Sequence, residues 1–268
     1  MNVADSEVVS SIMNEQGYQK TTMMEEADVI LVNTCSIREN AEQRVWGRLN
    51  VFKQQKKAHP QIKVGVIGCM AERLKEQLIE KEKTVDLVIG PDAYRALPKL
   101  IEHVDSGEKG INTLLSKEET YGDIAPVRTD KNQISAFISI MRGCNNMCSY
   151  CIVPYVRGRE RSRDPETILR ETRELAEQGF KEITLLGQNV DSFAWKRSDG
   201  STMPFAELLD QTAQVVPNIR IRFATSHPKD LSDEVLKVIA QHKNICKHIH
   251  LPVQSGSTKI LKKMNRGY

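Results

Sequence analysis

The sequence predicts an α/β protein with an N-terminal open parallel α/β sheet domain followed by a partial βα barrel. Short, continuous apolar runs alternate with segments of helical period, which is typical of parallel sheets buried on both faces. This alternation occurs twice, on either side of a polar, glycine-bearing stretch without sustained periodicity. We therefore expect one domain over residues 1–104, a linker over 105–134 and a second domain over 135–268.

The first domain reads as repeated strand–helix units after an opening helix that Gly17 ends. The expected strands cover 28–33, 63–68 and 85–90, and the helices that follow them cover 36–49, 70–81 and 93–103. Two of these strands end at a cysteine, and ligands bind at the carboxyl edge of open α/β sheets. No strand precedes the opening helix, so we expect the sequence to be trimmed at its N-terminus.

The second domain reads as four βα units in a row, which favours a barrel over a flat sheet. The expected strands cover 135–143, 181–187, 219–226 and 248–253; the expected helices cover 165–178, 205–215 and 232–241, with a last one starting near Ser257. Spacing alone does not separate a barrel from a sheet. Because an open series of four units leaves an exposed sheet edge, we expect the barrel to be incomplete at its C-terminus.

Composition excludes several classes of protein. With 40% hydrophobic and 27% charged residues, the chain of 268 residues has the composition of a globular protein. No apolar run reaches the roughly 20 residues that a membrane helix needs, and the acidic N-terminus is not a signal peptide. These features predict a cytoplasmic protein without a membrane partner. Thiols stay reduced there, so clustered cysteines indicate a metal site before they indicate disulfides.

The strongest motif is GCNNMCSYC, which directly follows a predicted strand. Its cysteines, Cys144, Cys148 and Cys151, have the spacing Cys-x3-Cys-x2-Cys. Three thiolates on one short loop can hold three irons of a cubane cluster and leave the fourth iron open. The alternative is a zinc site completed by Cys246 or a histidine, although structural zinc sites favour paired Cys-x2-Cys units.

These residues resemble those of the methylthiotransferase family of radical S-adenosylmethionine enzymes. The segments MRGCNNMCSYCIVPYVRGRERSR, LLGQNVDSF and HLPVQSGSTKILKKMNRGY resemble its radical domain, and NTCSIRENAEQR and GCMAER resemble its N-terminal domain. The resemblance runs from Met1 to Tyr268. Within the family, CSIRENAEQR and CMAERLKE are closest to the branch that acts on isopentenylated adenosine in tRNA.

The resemblance implies S-adenosylmethionine and two [4Fe–4S] clusters as cofactors. It assigns Cys144, Cys148 and Cys151 to the first cluster and places Tyr150 beside the adenine of the cofactor. Cys35 and Cys69 match two of the three ligands of an auxiliary cluster, and the third would directly precede Met1. The family also carries a small C-terminal RNA-binding β-barrel that has no counterpart here. We expect Cys35 and Cys69 to lie together on one sheet edge that faces the barrel mouth.

The implied reaction is methylthiolation of carbon 2 of the isopentenylated adenosine next to the anticodon. One S-adenosylmethionine donates a methyl group to a sulfur on the auxiliary cluster, and a second yields the radical that activates the carbon–hydrogen bond. The partners are then a tRNA anticodon loop, whose unstacked bases are accessible, and a low-potential electron donor such as flavodoxin or ferredoxin. Two alternatives stay open: another methylthiotransferase substrate (threonylcarbamoyl-adenosine in tRNA or a ribosomal-protein aspartate), or a non-catalytic metal-containing RNA-binding protein.

Polar side chains at the carboxyl ends of the barrel strands are the remaining candidates for contacts with S-adenosylmethionine or substrate. They are Gln188, Asn189, Thr225, Ser226, Gln254 and Ser255. We expect structural roles for Cys246, His227, His248 and His250.

An arginine run follows the cysteine loop directly. It consists of Arg157, Arg159, Arg161 and Arg163. Guanidinium groups there would bind phosphates of the substrate or pair with acidic residues of the protein, and the sequence favours neither.

Overall fold

The computed structural model describes residues 1–36, 39–128 and 133–268. It divides into two compact units, one of residues 2–119 with 155–158, the other of 120–154 with 159–268. The division falls inside the predicted linker. Ile37 and Arg38 of the NTCSIRENAEQR motif and residues 129–132 of the linker lie outside the described residues. Among the described residues, no helix is both long and apolar enough to cross a membrane.

The N-terminal unit is built on a parallel sheet with strand order β1-β2-β3-β4. Its strands are β1 (Val29–Thr34), β2 (Lys63–Gly68), β3 (Leu87–Ile89) and β4 (Gly110–Asn112). Its helices are α1 (Asn2–Glu15), α2 (Glu39–Ala58), α3 (Cys69–Leu74), α4 (Glu76–Lys81) and α5 (Leu97–Asp105). The three predicted strands are confirmed, but the predicted linker contains a fourth, because β4 pairs with β3 in parallel.

The predicted helix over 70–81 is interrupted in this unit. Lys75 has φ +50°, so α3 ends before it and α4 begins after it. The central strands β2 and β3 are almost wholly buried, with Val64, Val66 and Val88 at 0% exposure. This explains why their sequences read as continuous apolar runs rather than alternating ones.

The C-terminal unit is built on a parallel sheet in which β8 lies between β5 and β11. Its strands are β5 (Ser135–Ser139), β6 (Met141–Arg142), β7 (Arg161–Ser162), β8 (Glu182–Leu186), β9 (Ala194–Lys196), β10 (Thr202–Pro204) and β11 (Arg220–Ala224). Its helices are α7 (Pro165–Glu177), α8 (Phe205–Val215), α9 (Asp233–Gln241) and α10 (Thr258–Lys263). A short helix, α6 (Val153–Arg157), follows the cysteine loop.

The α/β class is confirmed, but the strand predicted over 248–253 is wrong. A single parallel bridge between Ile221 and Ile245 stands in its place. Pro252 has no N–H to donate to a ladder, and His248 and His250 are exposed. The helices predicted for this unit are confirmed to within a few residues, whereas α2 of the N-terminal unit continues nine residues beyond its predicted end at 49. Asp164 caps α7 by accepting a hydrogen bond from the Glu166 N–H, directly before a proline at the first helical position.

Candidate active site

The cysteine loop follows β5 and β6 and is fixed to the chain after it. β6 pairs with β7 in an antiparallel ladder, so the loop begins and ends at one place. Asn145 donates from its backbone N–H and side-chain amide to the two carboxylate oxygens of Glu160, at 3.0 and 3.2 Å. The Glu160 N–H in turn donates to Asn145 Oδ1 at 3.2 Å. These contacts hold the start of the loop to the chain that follows it.

The last helix of the chain holds the other side of the loop. The Ser149 N–H donates to the Met264 carbonyl at 3.1 Å, and its hydroxyl donates to the Lys263 carbonyl at 3.0 Å. Asn265 donates from its side-chain amide to the Met147 carbonyl at 2.7 Å. The C-terminal segment that resembles the radical domain thus contributes directly to the cysteine loop.

The three thiols are close together, and donors contact two of their sulfurs. The pKa of the Cys144 thiol is raised to about 11, mainly by burial, and the nearby Glu160, Cys151 and Cys148 contribute to this increase. The pKa of Cys151 is raised mainly by burial. The Asn146 N–H donates to Cys144 Sγ at 3.4 Å, and Arg266 Nη1 donates to Cys148 Sγ at 3.3 Å. A bound metal would replace the protons of these thiols.

This donor set fits an iron–sulfur cubane. Thiolates are its ligands, and N–H groups directed at their sulfurs stabilise the negative charge. Among the described residues, no group of three Cys, His, Asp or Glu side chains is placed to hold one metal ion. A cubane does not require such convergence, because each thiolate binds a different iron.

Cys246 lies away from the cysteine loop, so it does not complete a zinc site there. Its N–H donates to the carbonyl of Ile221, near the amino end of β11. Ala224 ends β11 three residues later, about 10 Å further along the strand. The loop, by contrast, follows the carboxyl end of β5, which lies in register with that of β11 through β8.

Gln188 and Asn189 lie where the sequence places them, directly after β8. Asn189 is 2% exposed and donates to Asp230 Oδ2 at 2.6 Å, and Asn146 of the cysteine loop donates to the same oxygen at 3.0 Å. Within the described residues, Gln188 Oε1 and Asn189 Oδ1 are buried without a hydrogen-bond partner. Two buried acceptors next to the cysteine loop are suited to N–H or O–H donors of a bound ligand.

Thr225 and Ser226 follow β11 as predicted. Thr225 has φ +76°, which is unusual for a β-branched residue and typical of functional sites. Ser226 donates to Asp191 Oδ1 at 3.3 Å, and the His227 N–H donates to Asp191 Oδ2 at 3.0 Å. Burial raises the pKa of Asp191 to about 6. These groups bind one another and position the loop after β11.

The other cofactor candidates have less support. Gln254 and Ser255 do not follow a strand, because 248–253 is irregular; Gln254 is exposed and has φ +62°. Tyr150 is 50% exposed, next to Cys151 in the loop. No contact in the described structure assigns a role to Gln254, Ser255 or Tyr150. Their contact with S-adenosylmethionine stays a prediction.

Cys35 and Cys69 directly follow the neighbouring strands β1 and β2, whose last residues, Thr34 and Gly68, are paired. Burial raises the pKa of the Cys69 thiol; the Arg157 guanidinium lowers it, and the nearby Cys35 thiol raises it. The two cysteines therefore share one sheet edge, as predicted.

Thr34 and Gly68 fix the turn at which α3 starts with Cys69. The Thr34 hydroxyl donates to the Ile67 carbonyl at 2.7 Å and accepts from the Met70 N–H at 3.2 Å. Gly68 has φ +91°, and a Cβ there would lie 2.8 Å from the Thr34 carbonyl oxygen. Only glycine fits this turn without strain.

The arginine run is mostly internal, which favours a structural role over substrate contact for three of its four side chains. Arg157, Arg161 and Arg163 are 3%, 7% and 5% exposed, whereas Arg159 is exposed. Arg163 forms an ion pair with buried Glu171. A phosphate contact remains a prediction for Arg159 alone, since the other three would have to leave their burial sites.

Sequence reasoning missed four residues that contact the candidate sites: Asp5, Asn146, Asp230 and Arg266. Asp5 occupies the buried stripe of α1 together with Val8 and Ile12, and an acidic residue at an apolar helix position was a usable signal. Asn146 was visible inside the cysteine motif itself. Asp230 and Arg266 gave no local signal, because their contacts depend on the fold.

The sequence comparisons agree with this geometry. Residues 138–268 match the Radical SAM superfamily, and residues 1–90 match a family described as Uncharacterized protein family UPF0004. The fold is similar to that of a radical S-adenosylmethionine methyltransferase from Kitasatospora setae, with a TM-score of 0.68 and 12% identity over 97% of this chain and 57% of the other. The fold and the cysteine loop thus define a radical S-adenosylmethionine protein, a class that uses S-adenosylmethionine and a [4Fe–4S] cluster.

Curated relatives narrow the assignment. The chain is 59% identical to the tRNA-2-methylthio-N(6)-dimethylallyladenosine synthases of Amoebophilus asiaticus and Bacteroides fragilis, over 100% of its own length, and 54% identical to that of Flavobacterium johnsoniae over 99%. The similarity to synthases of this name therefore extends over the whole chain, and the two family models match residues 1–90 and 138–268. The chain spans 57–58% of the length of these relatives.

Proposed function

We propose that the protein takes part in methylthiolation of carbon 2 of the isopentenylated adenosine next to the anticodon in tRNA. The observation that supports this proposal most is the loop of three neighbouring thiols, two of whose sulfurs accept hydrogen bonds from N–H groups. The chain that contains it is 59% identical to a synthase named for this product. A cytoplasmic location and a low-potential electron donor such as flavodoxin or ferredoxin belong to the same proposal.

Each part of the C-terminal unit has a task in this proposal. A [4Fe–4S] cluster with S-adenosylmethionine supplies, when bound, the one-electron cleavage that starts radical chemistry. Cys144, Cys148 and Cys151 hold the irons, and Arg266 donates to one of the thiolates. Asn189 and Gln188 direct buried oxygens at donors of the bound ligand.

The N-terminal unit supplies a second metal site in this proposal. Cys35 and Cys69 provide two thiolates for an auxiliary [4Fe–4S] cluster, supported by their place at the ends of paired strands. The buried Cys69 is held at the start of α3, which limits its movement when a metal binds.

The product nucleoside tests the proposal. The protein is expressed in a bacterial strain whose tRNA contains isopentenyladenosine without the methylthio group, and tRNA digests are analysed by mass spectrometry. We expect the methylthio derivative to appear, and Cys148→Ala to abolish it. A methylthio group on threonylcarbamoyl-adenosine instead would assign the alternative tRNA substrate.

The non-catalytic alternative has its own assay. Anaerobically reconstituted protein is reduced with dithionite in the presence of S-adenosylmethionine. Release of 5′-deoxyadenosine, together with iron rather than zinc in the protein, is expected of the enzyme. Protein that binds zinc and releases no 5′-deoxyadenosine would contradict the proposal.

A further inference from the structure

A buried arginine contacts one of the cysteines at the edge of the N-terminal sheet. Arg157 Nε donates to Cys69 Sγ at 3.1 Å, and its Nη2 lies 2.7 Å from Asp5 Oδ2. The three residues are 3%, 5% and 1% exposed. All three belong to the N-terminal unit, because residues 155–158 pack with it. The Cys69 sulfur, the Arg157 guanidinium and the Asp5 carboxylate are therefore in contact with one another and buried from water.

The guanidinium makes its two contacts from the same side. Its Nε–H and one N–H of Nη2 point in the same direction on the planar group, so Cys69 Sγ and Asp5 Oδ2 lie next to each other there. Nη1 lies on the opposite side and, within the described residues, is buried without a hydrogen-bond partner. The Nε–H is therefore the donor of Arg157 that lies next to any metal that the Cys69 sulfur binds.

The charges at this site suit a metal-bound cysteine. Asp5 offsets the positive charge of Arg157 on one side, and a Cys69 thiolate bound to metal would offset it on the other. An iron–sulfur cluster bound to Cys69 would bring an anionic thiolate together with inorganic sulfide. Both sulfurs accept hydrogen bonds, and such bonds to the sulfurs of a cluster are among the factors that set its reduction potential.

We propose that Arg157 is a positioning residue for the auxiliary cluster, donating from Nε to the Cys69 thiolate that would bind one of its irons. Asp5 fixes the orientation of the guanidinium. This role rests on the second cluster of the proposed function. It stands in place of the phosphate contact that was one of the two roles the sequence left open for this residue.

The test isolates the auxiliary cluster by replacing Cys144, Cys148 and Cys151 with alanine. In this parent protein, Arg157→Gln removes the charge and Arg157→Lys keeps it while losing the planar set of donors. Both are loaded with iron and sulfide anaerobically. We expect iron release to a chelator to be about 10–100-fold faster than in the parent, as is usual when a group that supports a metal ligand is lost. The midpoint potential, measured by redox titration followed by EPR, should move to more negative values.

Matched controls separate this role from a purely structural one. Arg159→Gln changes an exposed arginine two residues away and should leave iron release and potential unchanged. Asp5→Asn leaves an oxygen for Arg157 and should accelerate iron release less than Arg157→Gln does. Circular dichroism of each metal-free variant reports the fold, and the comparison uses the variants that match the parent.

The outcomes distinguish this inference from the proposed function. Folded Arg157 variants with the iron release and potential of the parent would overturn the role of Arg157 and leave the auxiliary cluster standing. A parent that binds no iron or sulfide would overturn both. Faster iron release and a lower midpoint potential in the Arg157 variants, with both quantities unchanged in Arg159→Gln, would support the role of Arg157.

Discussion

Replacing Arg163 with methionine should destabilise the protein without weakening its interaction with tRNA. Arg163 is buried, pairs with Glu171, donates to Thr167 Oγ1 at 2.9 Å and reaches the Gly122 carbonyl at 3.3 Å. Removing one partner of a buried ion pair typically costs about 3–5 kcal/mol because the other charge stays buried. Arg128 also binds Glu171 and continues to offset its charge, so we expect the lower end, about 3 kcal/mol.

Thermal unfolding of the metal-free protein measures this loss. At about 2–4 °C per kcal/mol for a protein of this size, the midpoint should fall by roughly 6–12 °C. The exposed Arg159→Ala should change the unfolding free energy by less than about 0.5 kcal/mol. In tRNA binding the order should reverse: Arg159→Ala lowers affinity and flattens its salt dependence, while Arg163→Met leaves the slope unchanged. An unaltered melting temperature with a flattened salt slope in Arg163→Met would refute this reasoning.

Three further predictions follow from the described contacts. Alanine at any one cysteine of the loop 144–151 should abolish both cluster absorbance and 5′-deoxyadenosine release, as checked by visible spectroscopy and chromatography. Glu72 is buried and its pKa is raised from 4.5 to about 7, mainly by burial, so its contribution to stability is full below pH 4.5 and is lost as pH rises through 7. Glu72→Gln should therefore be more stable than wild type above pH 7, by about 3 kcal/mol in urea unfolding, and equal stability at pH 8 would contradict this. Gly68→Ala should lower the unfolding free energy by about 1–3 kcal/mol, because it forces a Cβ into a left-handed turn against Thr34, and Gly17→Ala, which meets no atom within 4 Å, serves as its control in the same assay.

The sequence was sufficient for the elements that bury continuous apolar runs. Strand 63–68 is predicted to the residue, since every position from Val64 to Gly68 is buried between neighbouring strands. It was insufficient where an element exists through nonlocal pairing. β4 is only three residues long within a polar stretch, and its existence depends on β3, more than 20 residues earlier along the chain. For residues 248–253 the sequence predicted a strand that does not form. Their apolar residues are typical of a strand, but Pro252 has no N–H to donate and His248 and His250 are exposed.

The same distinction holds for the site. Cysteine spacing pointed to the candidate metal-binding loop because its three cysteines are close together in the sequence. Burial of the arginine run was invisible, since the groups that neutralise it come from elsewhere: Asp5 lies far upstream of Arg157, and Glu171 belongs to a helix that starts after the run. A charge run in a sequence therefore indicates a solvated or ligand-binding face only when no distant carboxylate is available to bury it.

Both candidate metal sites contain an arginine that contacts a thiol from a distant part of the chain. Arg266 is 118 residues from Cys148, and Arg157 is 88 residues from Cys69. Arginine suits this position because one planar group can contact sulfur and a second acceptor together; Arg266 Nη2 also donates to the Pro252 carbonyl at 3.1 Å. A sulfur receives its donor only after the distant segment has packed. Stable retention of iron is therefore expected to require the folded unit as well as the cysteines, and to be lost from unfolded chains that still carry every thiol.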